Sequence, residues 1–393
     1  MPWKEIRVQE QRLLVVQEHC QGASIAELSA VYAVSRKTIY KWLERYRQQG
    51  AAGLADLSRR PLHSPHQLSA EVEQAIVAAR LRWKWGPGKL RVKLCQSDPA
   101  RPWPAVSTIA AVLREKGLVV SRRRRPRTPL QRPPYADPAQ PNDVWCADFK
   151  GWFRTGDGTR VDPLTLTDAC SRYLLRCQIV ARADYQSAQA VFETAFREYG
   201  LPAVIHTDNG VPFASVAPGG LSRLSLWFVK LGIVPERSRP AAPQDNGRHE
   251  RMHRTLKQAC AAPPHATVRL QQRALHQFQH EYNTERPHAA LGNLTPQACY
   301  AASPRPFPRR VPALDYGDEL IVRRVSLQGS VRWRGERTFI SEVFGAEDLG
   351  LKPVGDEWLE VYYGPIRIGW LDGRRQQFRR RMPPALQAES DPD

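Results

Sequence analysis

Three acidic residues stand in local contexts suited to phosphate chemistry: Asp148 in Trp-Cys-Ala-Asp-Phe-Lys, Asp208 in His-Thr-Asp-Asn-Gly, and Glu250 in Pro-Gln-Asp-Asn-Gly-Arg-His-Glu. A compact group of carboxylates is costly by itself, because like charges repel and each group would rather be solvated or protonated. Hard divalent cations remove that conflict. They prefer oxygen ligands, and a pair of Mg2+ (or Mn2+) ions held by few carboxylates can activate a nucleophile and stabilise a leaving oxygen in phosphoryl transfer.

The elements around these residues read as an alternation of strands and helices over residues 143–300. Val144 to Trp152 is expected to form a first strand with Cys146, Asp148 and Lys150 on one face. Gly156-Asp157-Gly158 makes a turn, and Leu164 to Thr167 and Tyr173 to Val180 read as two further strands. Ala188, Val191, Phe192, Ala195, Phe196 and Tyr199 fall at helical spacing, and Gly200 ends that helix. Ala203 to Thr207 is a fourth strand, which puts Asp208 at its C-terminal end, where ligand sites of α/β sheets commonly lie. Strand, strand, strand, helix, strand is the order of an α/β ribonuclease-H-like core. Asp168 and Asp245 are rival carboxylates. Asp168 leaves too little chain before Asp208 for the intervening elements and is expected to hold Ser171 or Arg172; Asp245 lies in a loop, whereas the helix after it can aim Glu250 at the two aspartates.

The net charge of +19 is unevenly spread: residues 1–140 carry +14, residues 141–300 carry +4, and residues 301–393 carry +1. The front of the chain is the expected polyanion-binding part. Residues 1–58 read as a helix-turn-helix domain. Ala33-Val34-Ser35 forms the turn, Ser35 is a good N-cap, and Ile39, Trp42 and Leu43 pack inward, leaving Arg36, Lys37, Tyr40 and Lys41 for a DNA major groove. Residues 66–120 repeat the theme as a second helical, helix-turn-helix-like domain, broken at Gly86-Pro87-Gly88, with Ser107 as the expected cap of its last helix. Between 121 and 142 the chain becomes a Pro/Arg-rich linker in which Arg122, Arg123, Arg124 and Arg125 are suited to tracking phosphates. Short β-prone runs over 312–372, with turns at Arg334-Gly335 and Gly364-Pro365, predict a small C-terminal β-barrel, and residues 373–393 read as a disordered tail.

No apolar stretch approaches transmembrane length, so DNA rather than a membrane is the expected partner. The seven cysteines are scattered, with no Cys-x-x-Cys pair and no signal peptide ahead of them, a pattern that fits a reducing cytoplasm. His19 beside Cys20, and His63 with His66, are incomplete ligand sets, and no zinc is expected.

Taken together, these motifs resemble the integrase-core transposases of bacterial insertion sequences, relatives of retroviral integrases with an Asp, Asp, Glu catalytic trio. The resemblance rests on Asp148 with Phe149-Lys150-Gly151, on His206-Thr207-Asp208-Asn209-Gly210 with Phe213, on Pro243-Gln244-Asp245-Asn246-Gly247 before Glu250, and on Tyr282-Asn283-Thr284-Glu285-Arg286-Pro287-His288. One departure is that 41 residues separate Asp208 from Glu250, with Ala217-Pro218-Gly219-Gly220 as the extra loop, a change that costs little entropy. The resemblance implies that Asp148, Asp208 and Glu250 bind two Mg2+ ions, cleave the element's 3′ ends and transfer them to target DNA. It also implies that Gln244 and Asn246 flank the scissile strand, that Arg254 and Lys257 hold the DNA end from the helix of Glu250, and that the chain works as a homo-oligomer on DNA. The alternative is a DNA-binding regulator that keeps the core only as an oligomerisation scaffold.

Overall fold

A computed structural model describes residues 8–57, 68–119, 138–239, 247–355 and 357–383. The chain divides into two compact units, Met1–Ser69 and Ala70–Asp393.

The first unit holds three helices, α1 (Val8–Cys20), α2 (Ile25–Val31) and α3 (Arg36–Gln49), followed by a 3-10 turn over Gly50–Leu54. Ser24 caps α2 in a reciprocal box with Glu27, and Ser35 caps α3 by accepting from the Thr38 amide. Those caps satisfy amides that a helix start leaves without intrahelical partners. Val15, Val16, Leu28, Ile39, Leu43 and Leu54 form the core. Gly53 is required by close approach, since a Cβ there would lie 2.3 Å from the Arg45 carbonyl oxygen.

The second unit begins with α4 (Ala70–Trp83), α5 (Pro87–Ser97) and α6 (Val106–Glu115). Pro87 sits at the first turn of α5, where its missing N–H costs nothing. Ser107 is not the cap of α6: Ala105 holds that position and Ser107 lies inside the helix, because the buried stripe of Ile109, Val112 and Leu113 sets where winding begins.

The central sheet comprises β1 (Val144–Phe149), β2 (Phe153–Arg154), β3 (Arg160–Asp168), β4 (Leu174–Val180), β5 (Val204–Thr207) and β6 (Val234–Arg237). β1 pairs antiparallel with β3 and parallel with β5; β4 extends the sheet beyond β3, and β6 extends it in parallel beyond β5. The first strand is shorter than its sequence pattern suggested. It stops at Phe149 because Gly151 takes a positive φ of 86°, so Lys150 lies beyond the strand. The edge strand β6 is an addition to the predicted order. α7 (Tyr185–Tyr199) and α8 (Arg223–Lys230) cover one face through Trp145, Ala147, Leu164, Leu166, Phe192, Phe196 and Phe228. On the other face, α9 (Gly247–Cys260) and α10 (Val268–Thr284) pack Met252, Leu256, Leu275 and Phe278 against Leu174 and Cys177 of β4. A short α11 (Pro296–Cys299) follows.

The C-terminal part contains β7 (Ile321–Arg324), β8 (Ser330–Trp333), β9 (Glu336–Phe339), β10 (Asp348–Val354), β11 (Trp358–Tyr363), β12 (Ile366–Asp372) and β13 (Gln377–Arg379). Its antiparallel sheet runs β13-β12-β11-β10-β7, and β8-β9 is a separate hairpin. The expected barrel is thus seen as an open five-stranded path beside a hairpin, since no ladder joins β7 to β13 among the described residues. The expected disordered tail is corrected over residues 373–383, where β13 extends the sheet along β12, and residues 384–393 lie outside the described residues. Val331, Phe344, Leu351, Val361 and Tyr363 form a core that includes Leu226 and Val229 of α8, and Lys230 pairs with Glu347 at 2.6 Å.

Candidate active site

Alternation along β1 sorts its side chains between two environments. Trp145 and Ala147 enter the apolar layer under α7 and α8, which turns Cys146 and Asp148 toward the face covered by α9. Register extends that polar floor across the sheet: Cys146 lies opposite Thr167 and His206, and Asp148 opposite Thr165.

Asp208 follows the last residue of β5 and accepts a hydrogen bond from the Gly210 amide at 3.0 Å. A Cβ on Gly210 would meet the Asp208 carboxylate at 3.1 Å, so glycine lets this turn close tightly. Asn209 ties the same turn to the end of β6 through the Ser238 carbonyl at 2.7 Å, and Phe213 packs on Phe149 with ring centroids 5.6 Å apart. Glu250 lies in the first turn of α9 and is exposed, while His249 beside it is buried.

The charges of Asp208 and Glu250 both act on Asp148. Burial raises Asp148 to about 7, and the charges of Asp208 and Glu250, then Asp162, push in the same direction. A buried carboxylate whose neighbours are other carboxylates favours a cation among them. Asp168 has a different environment. Its carboxylate accepts from the Ser171 amide and hydroxyl at 2.7 and 2.6 Å and from the Asn142 amide at 2.8 Å, a structural clamp that ties the end of β3 to the turn after it and to the segment leading into β1.

Beneath Asp148 lies a network that is not among the sequence-derived site residues. Thr165 donates to the Asp148 carbonyl oxygen at 3.0 Å, and its hydroxyl oxygen lies 2.6 Å from His249 Nε2 and 2.7 Å from His253 Nε2. Thr167 Oγ1 lies 3.0 Å from His249 Nδ1. His253 Nδ1 lies 3.8 Å from an Asp148 carboxylate oxygen. Burial, with a smaller contribution from Lys150, pushes His253 down to about 4; burial and the neighbouring His253 and His206 hold His249 well below the usual imidazole range. Both rings are therefore neutral at pH 7.

Asp148, His249 and His253 offer ligand-type atoms within 4.8 Å of one another. The Nε2 atoms of both rings and Nδ1 of His249 are already occupied by threonine hydroxyls, so the carboxylates are the better donor set for a hard cation. Two sequence signals foreshadow the network: Thr165 and Thr167 alternate with Leu164 and Leu166 in one strand, and His249 and His253 are one helical turn apart around Glu250.

The other expected site residues are distributed as follows. Arg36, Lys37, Tyr40 and Lys41 are all exposed on α3, opposite buried Ile39 and Leu43. Arg254 and Lys257 lie on α9 with Glu250. Gln244, Asn246, the rival Asp245 and Arg122 to Arg125 lie outside the described residues, as do His63 and His66. His19 Nδ1 is 3.0 Å from the Ala23 carbonyl. No described helix is long and apolar enough to cross a membrane.

The Tyr282–His288 motif joins three parts of the unit. Asn283 exchanges hydrogen bonds with both backbone polar groups of Leu174 on β4, at 2.8 and 3.0 Å. Glu285 accepts from Trp83 Nε1 at 3.1 Å, with Lys93 at 3.5 Å and Arg82 at 4.0 Å. Lys89 donates to the Pro287 carbonyl, and the Arg286 guanidinium lies over Trp85. The second helical domain is thereby held on the core.

Comparison with known proteins agrees with this arrangement. Integrase core domain models match residues 138–243 and 231–296, a helix-turn-helix domain model matches 11–61, and a homeodomain-like domain model matches 38–113. An uncharacterized 31.7 kDa protein of insertion element IS407 from Burkholderia multivorans is 27% identical over 257 residues, covering 63% of this chain and 88% of the relative. The Gag-Pol polyprotein of baboon endogenous virus is 39% identical over 71 residues, 18% of this chain and 4% of the polyprotein. Among solved structures, the HTLV-2 integrase catalytic core in complex with magnesium aligns with a TM-score of 0.33 at 16% identity, covering 42% of this chain and 99% of that one. A simian T-cell lymphotropic virus intasome chain, in complex with PP2A regulatory subunit B56 gamma, aligns with a TM-score of 0.38 at 16% identity, covering 79% and 99%. With helix-turn-helix matches ahead of two adjoining core matches, and a similarity spanning most of an insertion-element protein, the chain carries an integrase core domain preceded by helix-turn-helix modules and is homologous to the IS407 protein.

Proposed function

We propose that this protein is a DNA transposase that binds the ends of an insertion sequence, hydrolyses the 3′ ends and joins them to target DNA. The observation that carries the reading is buried Asp148 on β1, raised by the charges of Asp208 at the end of β5 and Glu250 on α9. Their oxygen donors fit Mg2+ or Mn2+, and the two aspartates with Glu250 would hold the metal pair. Bound there, the ions supply Lewis acidity that activates water or a 3′-hydroxyl and stabilises the leaving oxygen.

The chain's own residues do the rest. Asp148 is held rigidly on a central strand, while Asp208 is held by the tight turn at Gly210. Arg254 and Lys257, on the helix of Glu250, neutralise phosphates of the DNA end, joined by Gln244 and Asn246 from the preceding segment. Arg36, Lys37, Tyr40 and Lys41 read the element's end in the major groove, and Arg122 to Arg125 follow phosphates between helical part and core. The C-terminal sheet with its hairpin serves as a small barrel-like module. Because two ends must be processed together, at least two copies assemble on paired ends, acting on nucleoid DNA in the bacterial cytoplasm.

The test is cleavage of oligonucleotides taken from the DNA flanking the gene. Wild-type protein with Mg2+ should release a 3′-hydroxyl at the element boundary, and Asp148→Asn should not. End binding with no cleavage by wild-type protein would favour a regulator instead.

A further inference from the structure

Thr165 is fully buried beside Asp148 and makes three hydrogen bonds through one hydroxyl. A threonine hydroxyl has one proton to give and two lone pairs to receive with. The Asp148 carbonyl can only accept, so the single proton goes there. Both remaining contacts must then be donations to Thr165, which makes His249 and His253 the Nε2–H tautomers. On the far side of the first ring, His249 Nδ1 carries a lone pair, so Thr167 donates to it. Every bond in the chain has one donor and one acceptor, and the Thr165 hydroxyl is saturated.

This network joins two elements that hold different carboxylates. Thr165 is the cross-strand partner of Asp148, whereas the two imidazoles sit one turn apart on α9 and bracket Glu250. The rings stand nearly perpendicular, at 86° with centroids 4.7 Å apart, so they reach one oxygen from two directions.

We propose that Thr165 is a positioning residue which, by accepting from both His249 and His253, locks α9 to the strand of Asp148 and sets the spacing of Glu250 from the aspartates. The proposal rests on the metal-dependent reading above. It adds a lock that requires a hydroxyl at 165 and an N–H donor at 253.

Mn2+ binding to the full-length protein, measured by calorimetry without DNA, reads the lock independently of activity. Thr165→Val and His253→Leu should each weaken Mn2+ binding by roughly tenfold to a hundredfold, the usual loss when a ligand's supporting partner is removed. Thr165→Ser and His253→Gln, which keep the hydroxyl and an N–H donor, should recover most of it. His253→Leu leaves no buried donor unsatisfied, so it decides the matter even where Thr165→Val does not fold. Wild-type affinity in folded Thr165→Val and His253→Leu, with binding lost in Asp148→Asn, overturns the lock alone. Absence of Mn2+ binding in the wild type, or binding indifferent to Asp148→Asn, overturns the metal reading and the lock with it. Imidazole 15N spectra of the wild type should show Nε2–H at both His249 and His253, and an Nδ1–H form at either position contradicts the assigned bond directions.

Discussion

Glu285 and Asp148 are carboxylates of the same unit, set in surroundings of opposite sign. Around Glu285 the chain gathers donors and cations: the Trp83 indole, Lys93 and Arg82. At Asp148, burial and then the carboxylates of Asp208 and Glu250 raise the pKa, and the imidazole neighbour is neutral. A carboxylate supplied with protein cations is finished as a structural contact. A carboxylate pressed by others gains only when a cation arrives, and that is the mark of a binding site.

The largest expected effect separates the two places by function. Asp148→Asn, Asp208→Asn or Glu250→Gln should each lower Mg2+-dependent end cleavage by about a thousandfold or more, the several kcal/mol that metal assistance supplies. Binding to end DNA, measured by gel shift, should persist. Glu285→Gln should leave cleavage within a few-fold of normal; an equal loss there would erase the distinction.

A second contrast appears in metal-free protein as pH changes. Asp148 titrates at about 7 in the folded state and at about 4 when unfolded. Between those values the folded state holds the extra proton, so stability falls as pH rises from about 4 to about 7 and levels off above. Asp148→Asn should remove that slope and leave the protein more stable by a few kcal/mol at pH 8, as read from urea unfolding with a chelator present. An unchanged slope would mean that the carboxylate is not under the pressure assigned to it.

At Glu285 the sign reverses. Glu285→Ala strips the acceptor from the Trp83 indole and leaves Lys93 without its anion, which should cost about 1–3 kcal/mol at this partly buried position. Proteolysis between α6 and β1 should become faster, with Mn2+ affinity unchanged.

The smallest effects are expected on α3, where cations face solvent. Arg36→Ala or Tyr40→Ala should reduce preference for element ends over random DNA by roughly tenfold. Neutralising two of Arg122 to Arg125 should weaken binding to every sequence and flatten its salt dependence by about 1 for each phosphate left without its arginine. Competition binding at several salt concentrations distinguishes the two, and equal loss of preference from both sets would contradict the division.

Much of this was legible along the chain. The Ser35 cap and the inward spacing of Ile39 and Leu43 identify α3 because capping and helical periodicity act over a few residues. Asp208 after an apolar strand, and Glu250 in the helix following a glycine-containing loop, were likewise readable from local pattern. Local rules were weakest at boundaries. Ser107 looked like a cap, but packing of Ile109 and Leu113 started α6 earlier, and a left-handed Gly151 ended β1 before Lys150.

What tertiary structure alone decided is which distant residues meet. Thr165 reaches His249 and His253 across 84 and 88 residues, and Trp83 reaches Glu285 across 202. A threonine in a strand or a histidine on a helix carries no sign of its partner, because pairing depends on strand register and on how a helix rolls on the sheet. A one-residue slip in register would turn Thr165 to the opposite face and leave Asp148 without the floor beneath it. The amino-acid order determined which residues could do chemistry; the register of β1 on β3 and the seating of α9 decided which carboxylate is buried and what holds it in place.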